Sequence, residues 1–171
     1  MPDKDPTRHQ FSMADVAGKA VTRRLAVAGG KIVVGAEAFR LLRDRALPKG
    51  DALALAEFAG IHAAKQTPAL IPLCHPISLN RVSVHTGLAA DDYAVEVYVA
   101  AEIDAKTGVE MEALCGLNIA LLTIWDLTKP VNAALEISDV RLLYKSGGKR
   151  GVWIHPDGLP AAAQAVLDQY G

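Results

Sequence analysis

The sequence is short of aromatic residues, cysteine and net charge, and each shortage excludes a class of function. Aromatic residues make up 5% of the chain, which is too few for a base-stacking surface on single-stranded nucleic acid. A formal net charge of −1 provides no overall positive field for a nucleic-acid polymer. The two cysteines, Cys74 and Cys115, form no CxxC pair and are too few for a disulfide framework, so we interpret both as reduced thiols.

Long apolar runs and familiar motifs are also missing. No stretch of the length of a membrane span is free of charge. Residues 1–10 are polar and charged, without the apolar core of a secretory signal, and we expect them to form a flexible tail. We therefore expect a cytoplasmic protein with neither a membrane nor a nucleic acid as partner. The chain contains no GxxxxGK[ST], no GxGxxG after a strand, no HExxH and no GxSxG.

The hydrophobic pattern predicts one domain that combines strands and helices. Hydrophobic residues make up 51% of the 171 residues, which is enough for one folded core. The first half of the chain predicts a strand over 21–35 with a turn or bulge at Gly29-Gly30, and a helix over 36–46 with Phe39 and Leu42 on one face. A second helix is predicted from an Asp51 N-cap to just before Pro68, with Leu55, Phe58 and Ala59 at helical spacing. The remaining predicted elements are a hairpin of strands 82–85 and 93–104, a helix over 109–128, a strand over 140–144 and a helix over 159–170. This order indicates an α+β fold, an antiparallel sheet with helices on one face, and a split βαβ topology.

The helix over 109–128 is apolar on most sides, which predicts burial, partly against another subunit. Glu110 and Glu112 open this helix, where the helix dipole alone is enough to favour them. Asp126 and Lys129 close it, either as a surface pair or as part of a site. Glu112 and Asp126 are separated by about 21 Å of helix, too far to touch one reacting atom. A site that uses both needs a long substrate or two subunits.

Several basic residues lie in loops, and each has two interpretations. The string Lys145-Ser146-Gly147-Gly148-Lys149 is either a phosphate-binding loop or a solvated glycine turn. Lys49 precedes a helix start, where an anion can bind, or it is a plain surface lysine. The cluster of Lys19, Arg23 and Arg24 either binds an anion or is simply solvated.

His75, between Cys74 and Pro76, is either a structural histidine in a proline-rich turn or an acid, base or hydrogen-bond donor at a site. No further ligands follow at zinc-like spacing, so we predict no metal site here. From these residues alone the sequence predicts an anion-binding α+β domain with a candidate acid/base set, and it does not name a reaction.

Eight strings between about Phe11 and Gly151 resemble the pattern of one enzyme family. They are Met13-Ala14-Asp15-Val16 with Lys19, Val21-Thr22-Arg23-Arg24, Lys49-Gly50-Asp51, Ala59-Gly60-Ile61 with Ala63-Ala64-Lys65, Leu70-Ile71-Pro72-Leu73-Cys74-His75-Pro76, Thr107-Gly108-Val109-Glu110-Met111-Glu112-Ala113-Leu114, Leu122-Thr123-Ile124-Trp125-Asp126, and Val140-Arg141-Leu142-Leu143 with Lys145-Ser146-Gly147-Gly148-Lys149. In this order and at these spacings they resemble the cyclic pyranopterin monophosphate synthases, the molybdenum cofactor biosynthesis protein C family.

The resemblance implies a ferredoxin-like α+β fold, with an antiparallel sheet and helices packed on one face. It implies a homo-hexamer, a trimer of dimers, with active sites between subunits. The implied substrate is 3′,8-cyclo-7,8-dihydro-GTP, which an upstream radical enzyme makes, and the implied products are cyclic pyranopterin monophosphate and diphosphate. It assigns residues 11–151 to a single catalytic domain and leaves 152–171 as a C-terminal extension.

The resemblance also implies roles for individual residues. The catalytic positions fall on Asp126, Lys129 and Lys49. The substrate contacts fall on Leu73, Cys74, His75, Met111 and Glu112, and further positions near the site fall on Asp15, Lys19, Arg24, Glu110 and Lys145.

The implied reaction needs several proton transfers and a group that stabilises departing diphosphate. Our hypothesis assigns proton transfer to Lys49 and Lys129, with Asp126 orienting or tuning Lys129. The triphosphate is assigned to Lys19, Arg24, Lys145 and Lys149, and the base and sugar to His75 and Glu112. No side chain requires a redox cofactor or a resident metal, and Mg²⁺ can accompany the triphosphate.

The chain departs from the family pattern at three positions: Leu25 replaces Glu, Pro130 replaces Ala and Cys115 replaces a common Thr. Because proline disfavours helical geometry in the residue before it, we expect Pro130 to turn Lys129 out of the helix. Two alternatives to an enzyme follow from the sequence. One is a non-catalytic paralogue that binds a pterin or nucleotide, and the other is a structural oligomer with solvated lysines and no triphosphate affinity.

Overall fold

The helices and strands are taken from a computed structural model that describes residues 11–171, so the tail predicted for residues 1–10 lies outside the described residues. In chain order they are β1 (Thr22–Val33), α1 (Ala36–Arg43), α2 (Ala52–Lys65), α3 (Thr67–Leu70), β2 (Arg81–Ala89), β3 (Ala94–Ala105), α4 (Glu110–Thr128), β4 (Glu136–Ser146), β5 (Trp153–Ile154) and α5 (Ala161–Leu167). Short 3₁₀ turns follow at Gly148–Arg150 and Asp168–Tyr170.

The sheet has the order β2-β3-β1-β4-β5, and each neighbouring pair is antiparallel. The first four strands and their helices follow the pattern βαββαβ, with β1 and β3 in the centre, which is the split arrangement expected from the sequence. The α+β prediction is therefore confirmed. The edge strand β5 was not predicted, because two residues carry no measurable alternation.

Gly29 and Gly30 lie within a continuous β1 and make no turn. The pairing of β1 with β4 shifts register on both sides of Gly29, which is the bulge that the sequence left as one option. A Cβ at Gly29 would lie 2.6 Å from Leu143, and one at Gly30 would lie 3.0 Å from Val140. The two glycines therefore let side chains pack directly on the centre of the sheet.

The larger core lies between one face of the sheet and the helices α1, α2 and α4. Phe39 and Leu42 of α1 are buried there, as predicted. The helices α2 and α4 touch through their backbones, because a Cβ at Gly60 would lie 3.1 Å from the Gly116 carbonyl oxygen. Small residues thus form the buried side of α2, while Leu55 and Phe58, which indicated this helix in the sequence, are 46% and 72% exposed.

The opposite face of the sheet carries a second, smaller core. Successive residues of a strand point to opposite faces, so Leu25 and Tyr98 lie on this side while their neighbours join the larger core. The helix α5 covers them with Ala163 and Val166. The C-terminal extension is therefore packed on the sheet, on the face that α1, α2 and α4 leave open.

The long helix α4 is buried on one side only, since Met111 and Leu122 are exposed. By length and composition α4 could cross a membrane, but half of its most apolar stretch is buried inside the fold. Core helices pass the same test, so this is weak evidence for a span. At the other boundaries, α1 ends three residues earlier than predicted, before Arg45 adopts a left-handed φ of 53°, and β4 extends beyond 140–144 at both ends.

Candidate active site

An open cavity of about 780 Å³ lies where the start of β1, the loop before α4 and the end of β4 meet. Six cationic side chains and one carboxylate line it: Lys19, Arg24, Lys106, Lys145, Lys149, Arg150 and Glu110. Such an excess of fixed positive charge in a concave surface favours a ligand with several negative charges. The loop Lys145–Lys149 is thus part of a cavity wall.

Strand pairing and two glycines build this wall. The last residue of β4, Ser146, pairs with Leu25, so the loop after β4 turns back beside the start of β1. Gly147 and Gly148 have φ of 97° and 70°, a conformation that favours glycine. A Cβ at Gly148 would overlap the Arg24 guanidinium, so Arg24 lies directly against the loop. Only glycine permits this contact between the two predicted phosphate-binding elements.

The ammonium group of Lys145 is held at the cavity by Glu110, the first residue of α4. Lys145 Nζ lies 3.0 Å from Glu110 Oε1, and both side chains are about a third exposed. An ion pair that is partly exposed to solvent adds little to stability. Its effect is geometric, because it ties the end of β4 to the start of α4 and fixes one cation beside the cavity.

Glu112 lies in the same first turn and is buried, with 3% of its surface exposed. Burial, with a smaller effect of the neighbouring Glu110 carboxylate, raises its pKa to about 7. Burial also raises the pKa of the Cys74 thiol, with Glu112 and Cys115 adding to the effect. Cys74 and Glu112 therefore lie near each other, and the Glu112 carboxyl can hold or release a proton near neutral pH.

The segment before β1 reaches the same end of the molecule. His75 donates through Nε2 to the Ala14 carbonyl (2.8 Å), and Lys106 donates through Nζ to the Ala17 carbonyl (2.9 Å). Asp15 accepts from the Ala17 N–H, so its carboxylate shapes the turn that presents Lys19 to the cavity. Asp15 itself is not part of the cavity wall described above.

A second cluster lies at the other end of α4. Asp126 accepts from Lys129 (2.7 Å) on one carboxylate oxygen and from Lys49 (2.9 Å) on the other. These two hydrogen bonds lower the pKa of Asp126 to about 2, and the bond from Lys129 has the larger effect. Lys49 stands in the turn before α2, which Asp51 caps by accepting from the N–H groups of Leu53 and Ala54, as predicted. The result is an ionised carboxylate between two ammonium groups.

Pro130 does not turn Lys129 out of the helix, so that expectation was wrong. Lys129 has φ −54° and ψ −28°, and its N–H donates to the Trp125 carbonyl (2.9 Å). Proline disfavours helical geometry in the preceding residue without forbidding it, and its larger effect is the missing N–H. Residue 130 therefore cannot bond the Asp126 carbonyl, which accepts from Lys49 Nζ instead (3.1 Å).

The structure therefore divides the predicted site residues into two groups. Lys19, Arg24, Glu110 and Lys145 share the cavity, and Cys74, His75, Met111 and Glu112 lie near that end, with Leu73 and Met111 partly exposed. Lys49, Asp126 and Lys129 form the other group, about 21 Å away along α4. Sequence reasoning missed Lys106 and Arg150 in the cavity wall. The one sequence feature that could have identified them is their position: Lys106 directly precedes the string that begins at Thr107, and Arg150 directly follows the string that ends at Lys149.

The chain is similar to known proteins over most of its length. The model of the MoaC family matches residues 13–148. A protein of Nocardioides sp. strain JS614 is 47% identical over 145 residues, which cover 84% of this chain and 89% of that protein. A Streptomyces griseus protein is 50% identical over 139 residues (81% and 77%), and a Heliobacterium modesticaldum protein is 46% identical over 145 residues (85% and 91%). Each of the three is named cyclic pyranopterin monophosphate synthase.

Proposed function

The chain belongs to the MoaC family, and from that premise we infer that it forms cyclic pyranopterin monophosphate in molybdenum cofactor biosynthesis. It is a lyase that acts on 3′,8-cyclo-7,8-dihydro-GTP and releases diphosphate. The observation that carries this inference is the cavity that six cations line, because a nucleoside triphosphate is a ligand of matching charge and size.

The cavity residues suit the phosphate part of the reaction. When the cyclic phosphate closes, diphosphate leaves and negative charge grows on its oxygens. Cations that are already in place stabilise this charge without reorganisation. Arg24 and Lys145 are held in place by Gly148 and Glu110, as described above, so both are preorganised for this role.

Three acid/base groups suit the ring chemistry. Rearranging a purine into a pyranopterin requires protons to be removed and returned, which amine and carboxyl side chains can do. Glu112, with its raised pKa, supplies one such group in the same helical turn as Glu110 of the cavity wall. Lys49 and Lys129 supply two more, and Asp126 orients both ammonium groups because each of its oxygens bonds one of them.

A site composed of both groups requires two subunits. The groups lie about 21 Å apart on a single helix, which is longer than the reacting part of a nucleotide. The exposed apolar side chains of Leu55, Phe58 and Leu122 lie on α2 and α4, where a second copy could cover them. We propose the homo-hexameric assembly, a trimer of dimers, that the family resemblance implies, with the cavity of one subunit facing the Asp126 cluster of another.

The remaining assignments concern cofactor, partner and location. The described residues contain no cluster of three or more His, Cys, Asp or Glu side chains that could hold a metal ion. A Mg²⁺ ion can accompany the triphosphate, and Glu110 is the carboxylate of the cavity wall that could join its ligands. We assign no redox cofactor, an upstream radical enzyme as the source of substrate, and a cytoplasmic location.

Pro130 was the feature that favoured a non-catalytic binding paralogue. Lys129 keeps its helical geometry and its bond to Asp126, so Pro130 gives no reason to expect an inactive cluster.

Turnover is the direct test. Purified protein is mixed with 3′,8-cyclo-7,8-dihydro-GTP, and diphosphate and pterin product are measured. We expect product from the wild type and a fall in kcat of about 10²- to 10⁴-fold for Asp126→Asn, which keeps the shape and loses the charge. Asp157→Asn is the matched control, because Asp157 is also exposed and ion-paired, to Arg141, and lies outside both clusters.

The outcomes separate the candidate functions. Tight substrate binding with no product from the wild type would establish the binding paralogue. Neither binding nor turnover would establish the structural oligomer. A fully active Asp126→Asn protein would refute the role given to the second cluster.

A further inference from the structure

The C-terminal segment Ala161–Tyr170 lies outside the residues that match the family, yet it is packed on the sheet like a part of the domain. We call it the C-terminal clamp. Ala163, Val166 and Tyr170 are buried in it, against Leu25 and other residues of the second sheet face. Leu25 stands where the family pattern has Glu, and a carboxylate here would be buried beneath the clamp. An apolar side chain at position 25 therefore matches the apolar residues with which the clamp covers β1.

The last residues of the clamp hold the side chains of two arginines. Arg23 of β1 donates through Nη2 to the Tyr170 carbonyl, and Arg81 of β2 donates to the Gln169 carbonyl (2.8 Å). The Arg81 guanidinium also lies 4.1 Å from the centre of the Tyr170 ring. The Tyr170 hydroxyl and the Ser83 hydroxyl are hydrogen-bonded (2.8 Å). Two strands of the sheet are therefore joined through the end of the chain.

The start of β1 needs such support. Residues 22–24 pair with β3 alone, because the pairing with β4 begins at Leu25. A strand end with one neighbour frays more easily than one with two. On the clamp side of the sheet, the Arg23 guanidinium bonds both Glu102 of β3 (2.6 Å) and the Tyr170 carbonyl, so side-chain contacts add to the single strand pairing here.

The supported residues belong to the cavity wall. Arg24 follows Arg23 directly and points to the opposite face, where it lies against Gly148. The Arg23 carbonyl is itself packed so tightly against Gly147 that a Cβ there would overlap it. A shift of Arg23 would therefore move both Arg24 and the glycine loop.

We propose that the C-terminal clamp is a positioning element for the phosphate cavity: by holding Arg23 on one face of the sheet, it holds Arg24 in place on the other. This inference rests on the proposed function only for the identity of the anion. Arg23 and Tyr170 are positioning residues, since neither lines the cavity.

The first test is a chain that ends at Asp168. It lacks Gln169, Tyr170 and Gly171 and with them both carbonyl acceptors, while the formal charge at neutral pH is unchanged. We expect KM to rise about tenfold and kcat to fall as well, because the displaced Arg24 loses its charge-assisted contact both with the bound triphosphate and with the departing diphosphate. Hydrogen exchange of the amides of residues 22–24 should become faster. Val166→Ala is the matched control: it loosens the packing of the same segment without touching Arg23, and should lower Tm but leave KM unchanged.

The second test begins with full-length variants, which do not depend on the shortened chain folding. Arg23→Met removes the guanidinium and should raise KM like the shortened chain, while Arg23→Lys, which keeps the charge, should recover only part of the loss. Combining Arg23→Met with the shortened chain should add nothing further, because both changes break the same contact. Additive effects, full recovery by Arg23→Lys, or a change of KM in Val166→Ala equal to that of the shortened chain would each overturn the proposal.

Binding of inorganic triphosphate, measured by calorimetry, separates this proposal from the proposed function. If the wild type makes no product but the shortened chain still binds triphosphate about tenfold more weakly, with faster exchange of residues 22–24, then the clamp stands and the enzymatic assignment fails. If the wild type is active and the variants bind, exchange and turn over like it, then the clamp fails and the enzymatic assignment stands.

Discussion

The buried carboxyl of Glu112 makes the stability of this protein depend on pH in a direction opposite to that of most carboxylates. Burial raises its pKa from 4.5 to about 7. Between these values the folded state retains a proton that the unfolded state has released, so the folded state binds more protons. The stabilising contribution of the proton is complete below about pH 4.5 and is lost as the pH rises through about 7.

The magnitude follows from the two pKa values. Ionising Glu112 in the folded state costs about 3 kcal/mol more than in the unfolded state, since the pKa rises from 4.5 to about 7. About 2.5 kcal/mol of this falls between about pH 5 and about pH 8. Glu112→Gln is neutral at every pH and keeps the size of the side chain. Relative to this variant, the wild type should lose about 2.5 kcal/mol across that interval.

Urea unfolding followed by circular dichroism measures this difference. Both proteins are unfolded at several pH values and at one protein concentration, because subunit association would add its own stabilisation. Glu136→Gln removes an exposed carboxylate and should follow the wild-type curve in shape. Parallel wild-type and Glu112→Gln curves, or a wild type that gains stability relative to the variant as pH rises, would refute the reasoning.

Three further predictions concern the local geometry of the site. Asp51→Ala removes the N-cap of α2 and should lower the free energy of unfolding by about 1 kcal/mol in urea; an unchanged value would show that the cap contributes nothing. Gly148→Ala forces a side chain onto a φ of 70° and against Arg24, and we expect a loss of about 1–2 kcal/mol together with weaker substrate binding. Lys106→Met should raise KM about fivefold at low salt and less at high salt, with kcat retained, and a KM equal to that of the wild type would remove Lys106 from the anion site.

Local structure was largely predictable from the sequence. Helical and alternating periodicity located the three long helices and the β2–β3 hairpin, and Asp51 marked the start of α2. These features depend on residues a few positions apart, so a short window contains their cause. The role of Leu55 and Phe58 was not predictable in this way. The spacing shows that they share a helix face, but which face is buried depends on Gly60 and its contact with α4.

The sequence predicted which residues belong to the candidate site, but it did not predict how they are arranged in space. The resemblance placed Lys49, Asp126 and Lys129 among the candidate site residues, but no local pattern shows that one carboxylate bridges lysines 77 and 3 positions away. Pro130 was misread for the same reason. Proline disfavours helical geometry in the residue before it, which is a local preference. Its effect in the folded protein is that residue 130 has no N–H for the Asp126 carbonyl, which accepts from the distant Lys49 instead.

The sequence by itself determined the fold class and the family and predicted a set of candidate site residues, because these follow from local periodicity and from strings of adjacent residues. The tertiary structure alone decided three further points. The pairing of β1 with β4 brings Arg24 against Gly148. The length of α4 separates the cavity from the Asp126 cluster. The open face of the sheet receives the C-terminal segment, whose last residues bond Arg23. Each depends on contacts between residues distant in the chain, which only the folded backbone brings together.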